Sequence, residues 1–166
     1  MKPFHFSTLP DTYEQHLEHK QARRETLRRE LASLYPEPTS LTLEIGCGHG
    51  HYLAAFAEAF TGETCLGIDL VTQRVLKGCK KRDKRELRNL NFLKADAFEF
   101  MDALPEHLTL HRIFILFPDP WPKKRHAKNR IIQTDLLTRL AERAEQGSRL
   151  HFRTDHEGQF GWGMDH

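Results

Sequence analysis

The most constraining stretch of this sequence is Ile113-Phe114-Ile115-Leu116-Phe117, an unbroken apolar run between Arg112 and Pro118. A strand with one wet face alternates apolar and polar residues, whereas a continuous run belongs to a strand covered on both faces. That places it inside a sheet with helices on either side. The rest of the chain supplies the neighbours. Thr42–Ile45, Thr64–Asp69 and Asn91–Lys94 read as further strands, and Arg149–Thr154 as a fifth, with Leu150 and Phe152 alternating against Arg149, His151 and Arg153. Helices are predicted over 52–60, 73–88, 97–103 and 130–145, the last ended by Gly147. A leading helix over 12–35 carries Leu17, Leu27, Leu31 and Leu34 among charges and stops at Pro36 and Pro38. Strands alternating with helices imply an α/β fold with a parallel sheet and right-handed crossovers.

A chain of 166 residues holds one domain with a real core. No apolar run reaches the roughly 18–20 residues of a membrane span, and the amino terminus lacks the apolar stretch of a secretory signal. Cys47, Cys65 and Cys79 are odd in number and far apart, which fits neither a disulfide framework nor a CxxC metal knuckle. The reading is a reduced, cytoplasmic protein. The formal net charge of +2 hides an uneven distribution. Eight basic residues between Arg74 and Arg88 face only Asp83 and Glu86, and Lys123, Lys124, Arg125, Lys128 and Arg130 form a second cluster with no acid. The first is as easily a solvated helix face as a binding surface. The second, an acid-free loop, points to a polyanion partner.

The turn after the first strand, Gly46-Cys47-Gly48-His49-Gly50, lets a ligand approach the backbone. His51 stands where a dinucleotide fingerprint wants Gly or Ala, which disfavours a nicotinamide-dependent oxidoreductase, and no Lys-Ser/Thr ending suggests a triphosphate loop. Strand two ends in Asp69, 19 residues past Gly50, where a carboxylate can accept ribose hydroxyls. Strand three ends in Asp96-Ala97; the alternatives to a ligand role are a solvated Asp69 and an Asp96 that merely caps a helix. Three acids around one crevice (Glu44, Asp69, Asp96) would repel a pyrophosphate and suit a cationic sulfonium bearing an ammonium group, as in S-adenosylmethionine. After strand four, Phe117-Pro118-Asp119-Pro120-Trp121 holds an acid between two prolines, each biasing its predecessor toward extended backbone.

Taken together, LEIGCGHG, GIDL, ADA, FPDPWPKKRHAKNR and RTD resemble the tRNA (guanine-N7)-methyltransferase family over about Thr42 to Met164. FPDPW followed by KKRH is the specific part, since many methyltransferases share the glycine loop. The resemblance implies a Rossmann-like methyltransferase domain over 41–166, preceded by an N-terminal helical extension over 1–40. It implies S-adenosylmethionine as cofactor, tRNA as partner, and methyl transfer to N7 of a variable-loop guanine. Carried over by position, Glu44, Gly46, Gly48, Asp69, Asp96, Ala97 and Asp119 would line the cofactor site, with Asp119 also the catalytic acid. Lys123 and Asp155 would contact the substrate nucleotide, and Arg125, His126, Lys128 and Arg130 the RNA. The chemistry agrees: guanine N7 has a free lone pair and needs no general base, so catalysis rests on alignment, desolvation and carboxylates near the developing ring cation. Trp121 offers a stacking surface for a base turned out of its helix, or a packed side chain.

Family members usually continue past the TD element into a helix and an antiparallel strand pair carrying a Thr-x-x-Glu segment, which nothing in this sequence matches. The expectation is therefore a carboxyl-terminally incomplete sheet of five strands in the order 3-2-1-4-5, with the fifth strand an exposed edge. A catalytically inactive tRNA-binding module is the alternative function. The eleven histidines show no metal-ligand spacing, and no metal is expected.

Overall fold

The computed structural model describes residues 10–121 and 123–166. The elements run α1 (Pro10–Leu34), β1 (Thr39–Ile45), α2 (His51–Ala59), β2 (Thr64–Asp69), α3 (Thr72–Lys84), β3 (Leu90–Lys94), α4 (Ala97–Ala103), β4 (Leu108–Leu116), a 3₁₀ segment (Lys124–Asn129), α5 (Thr134–Arg143), β5 (Ala144–Arg153) and α6 (Glu157–Asp165). The five strands form one sheet in the order β3-β2-β1-β4-β5, and every adjacent pair is parallel. This is the order the sequence predicts.

The sheet divides the core in two. Leu41, Leu43 and Ile45 of β1, Leu66 and Ile68 of β2, and Ile113 and Ile115 of β4 pack with Leu27 and Leu31 of α1, Phe100 and Met101 of α4, and Leu136 and Leu140 of α5. On the other face, Phe114, Cys65 and Phe92 pack with Leu53, Ala54 and Ala57 of α2 and Val75 of α3. Period-two alternation thus assigns each strand residue to one layer.

Several boundaries differ from the sequence reading, each for a local reason. Strand β4 begins at Leu108 rather than Ile113. A register shift around His111 lets Leu108 and Leu110 share a layer with Ile113 and Ile115, so the strand's alternation changes phase midway. Phe117 leaves the strand: it is 63% exposed and has φ of 50°, not the extended conformation expected before proline. Helix α3 ends at Lys84, with Glu86 at φ 55°. Helix α5 starts at Thr134, because the Gln133 amide donates to the Lys128 and Arg130 carbonyls (2.5 and 2.8 Å) and closes a turn there. It gives way directly to β5, where Gly147 at φ 84° lies within the strand's irregular start instead of ending a helix. In α1, Leu27 and Leu31 are buried but Leu17 and Leu34 are exposed, and Tyr35 fills the core in their place. Among the described residues β5 has no strand on its outer side, although α6 covers part of one face through Trp162, which packs on the core beside Phe152.

Candidate active site

The strand order reverses direction between β1 and β4, so the crevice at the carboxyl ends of these two strands is where an open α/β sheet binds ligands. A cavity of about 250 Å³ opens there, lined by Glu44, Gly46, Cys47, Gly48, His51, Tyr52, Leu116, Phe117 and Arg153. A larger one, about 840 Å³, lies along the ends of β2 and β3 against α1, with Leu70, Asp96, Glu99 and Arg23 in its wall.

The glycine loop is built by its neighbours. Gly46 and Cys47 both donate to the Ile68 carbonyl (2.9 and 3.0 Å), which draws the loop over the end of β2. Gly46 and Gly48 have positive φ, and a Cβ on either would meet nothing within 4 Å. There glycine serves backbone conformation and leaves the approach to the loop open. Gly50 differs, because its Cβ would fall 2.4 Å from the Phe92 ring.

Glu44 is the most unusual group in the crevice. It is 4% exposed and lies against the first turn of α2, where the Leu53 amide favours its charged form. One oxygen, Oε2, is buried with no partner. Burial pushes the Glu44 carboxyl up to about 8, against the smaller lowering influence of the Leu53 bond. A buried, half-satisfied carboxyl at the mouth of a cavity is matched chemically to a cation.

The other two acids are already partnered. Asp69 Oδ2 accepts from Gly48 N (3.0 Å) and Oδ1 from Val71 N (2.8 Å), which ties the glycine loop to the turn after β2. Each oxygen keeps a further lone pair for a ligand hydroxyl. Asp96 caps α4, its Oδ1 accepting from Phe98 N (2.9 Å) and Glu99 N (3.1 Å), with Ala97 buried behind it. The helix-cap reading of Asp96 therefore holds, while the residue also lines the larger cavity.

Beyond β4, Asp119 is exposed, and Gln159 Nε2 donates to its backbone carbonyl (3.1 Å). Asp155 is likewise exposed, two residues past the end of β5. Trp121, 37% exposed, meets the His126 ring edge-on at 5.8 Å, and Arg125 Nε donates to His126 Nε2 (3.2 Å). Lys123, Arg125 and Lys128 are exposed on or beside the 3₁₀ segment. Arg130 is not free in the same way: its guanidinium donates to the carbonyls of Pro120 (3.1 Å), Trp121 (3.4 Å) and Gly158 (3.3 Å). Sequence reasoning did not single out Gln159, Arg153 or Tyr52. The first turn of a helix after Thr154-Asp155 was the available signal for Gln159; the other two carry none outside the fold. Among the described residues, no group of three or more His, Cys, Asp or Glu could hold a metal ion, and no helix is long and apolar enough to cross a membrane.

A parallel sheet in this order, with a glycine loop and acids at its carboxyl edge, defines a Rossmann-like methyltransferase fold. Solved structures agree on the fold: TrmN from Thermus thermophilus superposes with a TM-score of 0.60 at 18% identity, covering 84% of this chain and 40% of that one. A methyltransferase family model, described as "Putative methyltransferase", matches residues 38–166, and the chain belongs to that family. Curated relatives named tRNA (guanine-N(7)-)-methyltransferase include one from Thermosynechococcus vestitus, 34% identical over 74% of this chain and 58% of its own length. Another, from Chromobacterium violaceum, is 37% identical over 81% of this chain and 59% of its own. The chain thus spans rather less than two thirds of the length of these relatives.

Proposed function

We propose that the chain transfers a methyl group from S-adenosylmethionine to N7 of a guanine in the variable loop of tRNA. The observation that carries the reading is the buried Glu44 carboxyl, with one unpartnered oxygen, at the end of the strand beside the one that leads into the Asp119 loop. When bound, S-adenosylmethionine supplies an electrophilic methyl group and two cationic centres, sulfonium and ammonium. Glu44 offers a carboxyl for cationic charge, Asp69 lone pairs for ribose hydroxyls, and the buried Ala97 after Asp96 an apolar wall. Gly46 and Gly48 leave room for close approach.

On the substrate side, N7 attacks with its own lone pair, so no residue has to remove a proton. Asp119 and Asp155, both exposed, are suited to accept the guanine N1–H and exocyclic amine and to stabilise the cation that forms on the purine. Lys123 is suited to a phosphate of the same nucleotide. Arg125, His126 and Lys128 carry the flanking RNA on the 3₁₀ segment. The names of the curated relatives support this substrate. The protein is then cytoplasmic, where tRNA is.

The test is incubation of the purified chain with labelled methyl donor and unmodified tRNA, followed by nuclease digestion, with Asp119→Ala as control. Label in 7-methylguanosine supports the reading. Donor and RNA binding without label is the behaviour of an inactive binding module, and refutes it.

A further inference from the structure

The segment from Phe117 to Trp121 is poorly able to hold itself. Two of its five residues are prolines without an N–H, and Phe117 and Trp121 sit at φ 50° and 43°, a region that β-carbon-bearing residues rarely occupy. Such backbone persists only where surrounding groups over-determine it. Here three successive carbonyls are taken by two side chains from elsewhere: Asp119 by Gln159 Nε2 (3.1 Å), Pro120 by Arg130 Nε (3.1 Å) and Trp121 by Arg130 Nη2 (3.4 Å).

Gln159 does more than hold one carbonyl. It is 1% exposed, the most buried polar side chain outside the sheet among the described residues. Its amide orientation is dictated by the Asp119 carbonyl, which can only accept and so takes Nε2, leaving Oε1 to accept from the Thr154 hydroxyl (2.8 Å), which itself accepts from His156 N (3.1 Å). One buried amide thus spans two loops, bonded to the residue before Asp155 on one side and to Asp119 itself on the other. Arg130 backs it, donating to Gly158 (3.3 Å) with its guanidinium 5.2 Å from the Trp162 ring centre.

We propose that Gln159 is a positioning residue that fixes Asp119 relative to Asp155, so that two exposed carboxylates address one purine. The inference rests on the guanine-methylating reading above. A bond made in the wrong register on either loop would shift one carboxylate against the other, and alignment is the larger part of this catalysis. Gln159 touches no reacting atom and acts through the two loops it joins.

Two variants separate the position from the fold. Gln159→Met keeps length and flexibility and removes both side-chain bonds. Gln159→Glu keeps an acceptor for Thr154 and sets a carboxylate against the Asp119 carbonyl. In both, kcat for methyl transfer is expected to fall at least about tenfold, while donor affinity and KM for tRNA stay within about threefold. Independently of turnover, limited trypsin cleavage after Lys123, Lys124 or Arg125 is expected to accelerate about tenfold or more at a temperature where both variants are folded. Unchanged kcat and cleavage in both variants would overturn the proposal. So would donor affinity falling in step with kcat, which marks a general structural role. If the unsubstituted chain transfers no methyl group, it is the activity reading that fails, and the cleavage rates alone then decide whether Gln159 fixes the loop.

Discussion

Replacing Glu44 by Gln isolates one desolvated carboxyl at almost constant shape. Gln keeps a polar oxygen at the same place and removes the charge. With the folded group pushed up to about 8 from an ordinary 4.5, the native state holds a proton at neutral pH that the unfolded chain has released. Stability from this group is therefore full below about pH 4.5 and lost as pH rises toward 8, at about 1.4 kcal/mol per unit. The loss is on the order of 3 kcal/mol at pH 7 and 5 kcal/mol above pH 8. Urea midpoints of both proteins between pH 5 and pH 9 measure it directly. The difference between them removes every other titrating group, and Glu44→Gln is expected to gain on the parent steadily up to about pH 8 and then level off. Parallel curves would refute the reasoning. The same proton reports on the proposed function: a cationic donor bound beside Glu44 favours its ionised form. Calorimetry at pH 7 in two buffers of different ionisation enthalpy is then expected to show about one proton released on binding, and none in Glu44→Gln.

Other substitutions divide along the same lines. Asp119→Ala is expected to cut turnover by about a hundredfold or more with little change in donor affinity or melting temperature, and undiminished methyl transfer would remove it from the catalytic site. Replacing Lys123 and Arg125 together by Ala is expected to leave donor binding intact, weaken tRNA binding, and make the slope of log K against log salt shallower by about 1–2, as filter binding between low and moderate salt would show. Gly50→Ala meets both a left-handed backbone and the Phe92 ring at 2.4 Å, and is expected to lose about 2–4 kcal/mol in denaturant unfolding. Gly46→Ala meets open space, so its cost to stability is expected to be only about 1–2 kcal/mol, while donor binding suffers where the added methyl group enters the crevice.

Much of the architecture was readable before folding, because it depends on local pattern. The apolar run Ile113–Phe117, the alternation of strands with helices and the glycine turn after β1 are properties of neighbouring residues and give the α/β parallel-sheet class, while the observed strand order is what the family resemblance implies. Asp69 and Asp96 were found the same way, as acids at the ends of strands. What local pattern could not supply were the places where side chains from distant segments compete for backbone groups. The bulge at His111 shifts the phase of β4 against its neighbours, and Arg130 turns inward to three carbonyls although it reads as one more cation of an RNA-binding run. The burial of Glu44 belongs here too. The letters show an acid in a strand, but only the packing of α2 across it removes water, leaves Oε2 unpartnered and lifts its affinity for a proton. Periodicity and turn chemistry act over a few residues and so are written along the chain. Desolvation and hydrogen-bond competition depend on which surfaces meet, and these arise only when the sheet brings residues 44, 119 and 159 to one edge.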